Sequence, residues 1–127
     1  MAGEKILLVD DDPHDLEMAE VFLNEQSERF SIRSVPSASD GLESLDGDDD
    51  LVDCVVSDYQ MPGMDGLEFL NEVRDRYPEL PFILYTGQGT KKVVKQAILD
   101  DVTDYVEKDV GREQYEILSG RIKKAVR

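Results

Sequence analysis

The chain holds one cysteine, Cys54, one histidine, His14, and no apolar run of the roughly 18 residues that a bilayer-crossing helix needs. A single cysteine can form no internal disulfide, and its place inside an apolar run makes Cys54 a small buried hydrophobe rather than a reactive thiol. The N-terminus lacks the basic-then-apolar pattern of a secretory signal, so the expectation is a soluble, cytoplasmic chain with no membrane partner. Basic residues are also scarce. Against 29 Asp and Glu stand 14 Lys and Arg, for a net charge of −15. The phosphate attraction that dominates nucleic-acid affinity then has the wrong sign, so no nucleic acid is expected to bind this domain. Acid excess on this scale is a device of halophilic proteins, whose self-repulsion is screened at high salt. A salt-loving source and stability that rises with ionic strength are therefore expected.

What is present is enough for one domain. The 127 residues, 40% hydrophobic and 34% charged, can bury a real core, and residues 1–127 read as a single unit. Lys5 to Val9 is continuously apolar, the mark of a central strand covered on both faces. Asp12 then caps a helix with Pro13 at its first position and Leu16, Ala19, Phe22 and Leu23 along one stripe; His14 is a solvated residue of its first turn. Phe30 to Val35 alternates, which suggests an edge strand. A weak helix from Ser37 to Leu45 follows, interrupted by Gly41, and Asp48, Asp49 and Asp50 read as a solvated loop.

Val52 to Ser57 is the next central strand. After it Asp65 caps a helix with Leu67, Leu70 and Val73 inward, stopped by Pro78. Pro81 to Thr86 is again continuously apolar, and Thr90 caps a helix predicted to carry Val93, Val94, Ala97 and Ile98 on its packed face. Asp104 to Lys108 alternates as a second edge. A last helix after Gly111 aligns Tyr115, Leu118, Ile122 and Val126 and ends in Lys123, Lys124 and Arg127, cations suited to the negative end of its dipole. Strands alternating with helices predict an α/β fold, a doubly wound five-stranded parallel sheet with five helices on both faces. Three buried strands and two edges fit the order 2-1-3-4-5, whose switch point lies between strands one and three.

That order brings strand ends together. Asp10, Asp11 and Asp12 close the first strand, Asp58 the third, Thr86 the fourth and Lys108 the fifth. In such sheets ligands bind beyond the carboxyl ends of the strands. Asp10, Asp11 and Asp58 would meet there. Clustered carboxylates repel one another unless a cation compensates, and Mg²⁺, which prefers carboxylate oxygens and bridges them to phosphates, is the expected answer; the lack of sulfur or imidazole ligands weighs against zinc. With Lys108 to neutralise charge and the Thr86 hydroxyl to donate to a phosphoryl oxygen, the set reads as a phosphoryl clamp. Asp58, alone on its strand end, is the best-placed nucleophile for an aspartyl phosphate. Any one of these acids by itself would read as a strand-end cap or a solvated turn residue. The joint arrangement does not.

The motifs ILLVDDDP, SDYQMPGMDG, ILYTG and DYVEK, at these spacings, resemble the response-regulator receiver domain of two-component signalling over essentially the whole chain. The resemblance implies a flavodoxin-like fold and a phosphorelay receiver: Asp58 takes the phosphoryl group from a histidine kinase, and Asp10 and Asp11 form the acidic pair. It also implies that Asp11 binds Mg²⁺ directly, alongside Asp58 and the backbone carbonyl of Gln60. Thr86 and Lys108 hold phosphoryl oxygens, Tyr105 matches the aromatic switch, and Gln60 and Gln88 tune loss of the phosphoryl group. Phosphate at Asp58 would draw in the Thr86 hydroxyl and let Tyr105 turn inward, altering the surface of the fourth helix, fifth strand and fifth helix for a downstream protein partner.

Two positions depart from the pattern. Asp109 stands where the family usually has proline, which predicts a competing carboxylate beside the Lys108 ammonium, and Asp101 stands where glycine often ends the fourth helix. The expected protein is a switch more than an enzyme, catalysing only its own phosphorylation and dephosphorylation, with no output domain because its last helix runs to the terminus.

Rival readings are weaker. A phosphatase of the haloacid-dehalogenase type would use Asp10 and Asp12, but Pro13 follows, no cap domain fits the length, and SDYQMPGMDG would have no role. A pseudo-receiver that binds partners without phosphorylation does not need the complete set of acceptor, acid pair, threonine and lysine. A flavodoxin would place its flavin phosphate in the first strand–helix turn, which here is acidic and would repel it.

Overall fold

Each apolar run of the sequence becomes a strand in the computed structural model, which describes residues 3–47, 51–87 and 89–127. The elements run β1 (Glu4–Val9), α1 (Pro13–Gln26), β2 (Phe30–Val35), α2 (Ala38–Gly47), β3 (Cys54–Ser57), α3 (Gly66–Arg76), β4 (Phe82–Thr86), α4 (Lys91–Leu99), β5 (Asp104–Glu107) and α5 (Glu113–Ala125). All strand pairs are parallel and the order is β2-β1-β3-β4-β5, so both alternating segments stand at the edges. Because successive strand residues face opposite sides, the sheet divides the core in two. Ile6, Leu8, Cys54, Val56, Ile83 and Tyr85 pack with Leu23, Leu118 and Ile122 of α1 and α5. Leu7, Val9, Val55, Phe82 and Leu84 pack with Phe69, Leu70, Val73 and Ala97 of α3 and α4. Cys54 is fully buried, and burial followed by the neighbouring Asp53 charge pushes its thiol up to about 12, so it is an inert core residue.

The caps form as their residue types dictate. Asp12 accepts the His14 and Asp15 N–H groups, Asp65 and Glu68 make a reciprocal capping box, and Thr90 accepts the Val93 N–H. Ser37 caps α2 from outside, accepting the Asp40 N–H at 3.1 Å. Asp101 adopts the left-handed conformation that its glycine-like position implies, with φ +67°, and its carbonyl accepts from Arg74 Nε at 2.8 Å. Among the described residues no helix is long and apolar enough to cross a membrane.

Four expectations need correction. β3 begins at Cys54 rather than Val52, because the Asp53 side chain accepts the Lys5 N–H at 2.8 Å where a strand carbonyl would have done so. The fifth strand ends at Glu107, one residue before Lys108. Phe69, absent from the predicted inward face of α3, is fully buried against Phe82. Ile98 is 66% exposed and Leu99 beside it 68%, because α4 presses only Val93 and Ala97 fully into the sheet's border. The predicted acidic loop of Asp48, Asp49 and Asp50 lies outside the described residues.

Candidate functional site: an acidic crevice at the strand ends

The crevice opens beyond the C-terminal ends of β1 and β3, where the winding of the sheet reverses. It has a volume of about 640 Å³ and is walled by Asp10, Asp11, Asp12, Asp15, Asp58, Gln60, Met61, Pro62, Gly87 and Lys108. Asp58 is fixed just past β3 by its N–H, which donates to the Val9 carbonyl at 2.9 Å, and by Ser57 Oγ, which donates to the Asp58 carbonyl at 2.9 Å. The loop after it returns tightly. Gly66 N–H donates to the Tyr59 carbonyl at 2.7 Å, and a Cβ on Gly66 would lie 2.3 Å from the Asp58 carbonyl oxygen, so only glycine lets α3 start this close to the end of β3.

The side chains converge on one ammonium. Lys108 Nζ lies 2.7 Å from Asp10 Oδ2, 3.0 Å from Asp15 Oδ2 and 3.1 Å from Asp58 Oδ2. The second oxygen of Asp58 accepts the Tyr59 N–H at 2.7 Å, and that of Asp10 accepts the Asp12 N–H at 3.0 Å. Burial makes Asp10 harder to ionise and raises it above the ordinary carboxylate value, although Lys108 and the Asp12 N–H pull the other way. Burial also works against the Lys108 ammonium, but its hydrogen bond to Asp10 and the charges of Asp10 and Asp58 outweigh it. The lysine therefore stands well above its usual value and stays charged. The ring of Tyr85 lies beneath it, 5.5 Å from Nζ to the centroid.

Asp10, Asp11 and Asp58 each present a carboxylate oxygen, and these atoms lie within 4.8 Å of one another. This all-oxygen donor set, at the mouth of an open crevice, suits a hard cation such as Mg²⁺ and lacks the sulfur and nitrogen that zinc prefers. Asp11 and Gln60 are exposed at the rim, free to meet a ligand. Thr86 ends β4 fully buried and does not line the crevice; its carbonyl accepts the Lys108 N–H at 3.1 Å and so ties the lysine's backbone to β4. Tyr105 lies apart from the acids, half-buried on β5, and Gln88 lies outside the described residues.

Asp109 does not compete for the ammonium as its type suggested. Its carboxylate accepts the Val110 N–H at 2.8 Å, and among the described residues the ammonium's ion pairs are with Asp10, Asp15 and Asp58. Asp15 is the residue that sequence reading left out. Its only signal was its place in the first turn of a helix that starts at the acidic strand end, where an acid is expected for the dipole alone.

A five-stranded doubly wound sheet with three acids and a lysine gathered at its switch point defines a class, and the whole chain can be placed within it. The profile of the response regulator receiver domain matches residues 6–118, and the chain belongs to that family. It is 37% identical over 107 residues to the C4-dicarboxylate transport transcriptional regulatory protein DctD of Rhizobium meliloti (strain 1021), a match covering 84% of this chain and 22% of that protein. It is 34% identical over 112 residues to the two-component response regulator ORR22 of Oryza sativa subsp. indica, covering 88% of this chain and 16% of that one. The chain thus spans about a fifth of the length of these curated relatives. A response regulator receiver domain protein from Clostridium thermocellum superposes with a TM-score of 0.85 at 25% identity, covering 97% of this chain and 94% of the other. The signal receiver domain of an HD domain-containing protein from Pseudomonas fluorescens Pf-5 does so with 0.84 at 26% identity, covering 98% and 94%.

Proposed function

We propose that this receiver accepts a phosphoryl group on Asp58 from the phosphohistidine of a histidine kinase and hands the signal to a protein partner through the surface of α4, β5 and α5. The observation that carries this reading is the Lys108 ammonium within 3.1 Å of Asp58 and 2.7 Å of Asp10, at the mouth of a crevice roomy enough for a phosphoryl donor. The Tyr59 N–H and Lys108 hold the two oxygens of Asp58, so the carboxylate faces the crevice in one orientation. One of these oxygens forms the new O–P bond as the donor's P–N bond breaks, the electron pair leaving on the imidazole nitrogen. Lys108, already charged, offsets the negative charge that spreads over the transferring oxygens. Asp10, Asp11 and Asp58, with the Gln60 backbone carbonyl, would hold Mg²⁺, which when bound would supply positive charge against the transferring phosphoryl group.

The new phosphate adds charge beside the end of β4, where the Thr86 hydroxyl can turn to it, and Tyr105 on the adjoining strand then follows inward. Gln60 at the rim and Gln88 would govern how readily water reaches the phosphorus. The chain acts on no substrate other than its own aspartate, so it works as a switch and not as a turnover enzyme. Its acid excess supports a salt-loving source, and its net charge of −15 supports protein partners over nucleic acid.

The test is incubation with acetyl phosphate and Mg²⁺, read by intact mass. One acid-labile phosphoryl group should appear on the native chain and none on Asp58→Asn. Equal labelling of the two would sink the assignment of the acceptor.

A further inference from the structure

Lys108 leaves the sheet one residue after β5 ends, so the path of the loop that follows decides where its ammonium lies. That loop has little packing of its own: Asp109, Val110 and Gly111 are exposed, Val110 at 90%. What fixes it is one side-chain amide. Gln114, in the first turn of α5, is buried at 8% exposure, and its Oε1 accepts the Asp109 N–H at 3.3 Å while its Nε2 donates to the Asp109 carbonyl and, at 2.9 Å, to the Gly111 carbonyl. Oε1 also accepts the Tyr85 hydroxyl. Both amide hydrogens and two acceptor positions are used, and the N–H of Asp109 against Oε1 and two carbonyls against Nε2 leave only one orientation for the amide. The Tyr85 that anchors Gln114 by its hydroxyl also lies under Lys108 with its ring. The lysine is thus bracketed twice, through space by Tyr85 and along the chain by Asp109.

We infer that Gln114 is a positioning residue for Lys108, aiming the ammonium at Asp58 by clamping both the backbone N–H and the carbonyl of the next residue, Asp109; the inference rests on the phosphoryl-acceptor reading above. A merely structural glutamine would steady α5 and its loop without regard to Lys108. A positioning one acts only through it.

The two are separated by a double-mutant cycle on the full chain, with the rate of phosphorylation by acetyl phosphate at saturating Mg²⁺ as readout and a cooperative melt as the check on folding. Gln114→Met keeps the length of the side chain and removes the amide. It should slow phosphorylation about tenfold when Lys108 is present and change it less than about twofold in a Lys108→Ala background, since misaiming a group matters only while the group is there. Should Gln114→Met not fold, Tyr85→Phe removes one bond of the bracket and keeps the ring. It should give a loss of roughly two- to threefold that likewise vanishes with Lys108→Ala. Equal losses in the two backgrounds, or no loss with Lys108 present, overturn this inference alone while leaving Asp58 as acceptor. Phosphorylation that persists in Asp58→Asn overturns the acceptor reading and this inference with it.

Discussion

The acidic crevice and the flank made by α4 and β5 lie next to each other on the same sheet and are built on opposite terms. In the crevice, charge is dense and engaged: Asp10, Asp15 and Asp58 share the Lys108 ammonium, and Asp10 and Asp58 each hold a backbone N–H as well. On the flank the surface is apolar. Val94, Ile98, Leu99 and Tyr105 line a hollow of about 440 Å³, edged by Lys91 and Lys95 on a helix without a single acid. Exposed aliphatic side chains grouped in this way are the kind of surface that the protein partner proposed above would cover. The contrast separates two tasks. Under the function proposed above, the pairing would hold Asp58 in one orientation, whereas an apolar face could be re-formed when a neighbouring side chain moves. Tyr105 packs against the backbone of Gly89, since a Cβ there would fall 1.8 Å from its hydroxyl.

If the crevice is held by charge, breaking its centre should be felt most. Lys108→Met leaves half-buried carboxylates uncompensated and is expected to destabilise the chain by about 3 kcal/mol at neutral pH in the presence of a chelator, measured by urea unfolding. Lys108 has a raised folded value, so its contribution is fully present below the ordinary lysine value of 10.5 and is lost as pH rises through the folded one. The gap between native and Lys108→Met chains should therefore hold at pH 9 and close only well above 10.5. A gap that closes on acidification through neutral pH would show that something other than the ammonium is responsible.

Next in size is the cation. Mg²⁺ at a hundred times its dissociation constant should raise unfolding stability by about 2.7 kcal/mol. Asp11→Asn should abolish most of that gain, while Ile98→Ser on the flank should leave it intact. Equal loss in both would erase the distinction between the two regions.

The smallest effect is expected on the flank itself. Ile98→Ser with Leu99→Ser should alter stability by no more than about 0.5 kcal/mol per site and leave the rate of Asp58 phosphorylation unchanged. A drop in that rate would mean the flank takes part in the chemistry and is not only its readout.

How far these features could be read in advance depends on how local their causes are. Continuous apolar runs at β1, β3 and β4 and alternating ones at β2 and β5 dictate which strands lie inside, and with right-handed crossovers that is nearly enough to order the sheet. The caps at Asp12, Asp65 and Thr90 and the left-handed Asp101 follow from residue type and the few residues around each. Ile98 could not be placed this way. Helical spacing puts it on a stripe with Val94 and Ala97, but how wide a stripe is covered depends on where α4 sits across a short edge strand.

The sequence by itself settled the alternation of elements, the strand order and the gathering of Asp10, Asp11, Asp58, Thr86 and Lys108 at strand ends, because hydrophobic period and chain punctuation act over a few residues at a time. Only the tertiary structure decided that Asp15 shares the lysine, that the Asp109 carboxylate turns away, that Gln114 clamps the loop and that Ile98 faces outward. Asp15 and Gln114 meet their partners across 93 and 5 residues of chain, and what matters in each case is the direction of a side chain after packing, which no spacing along the sequence encodes.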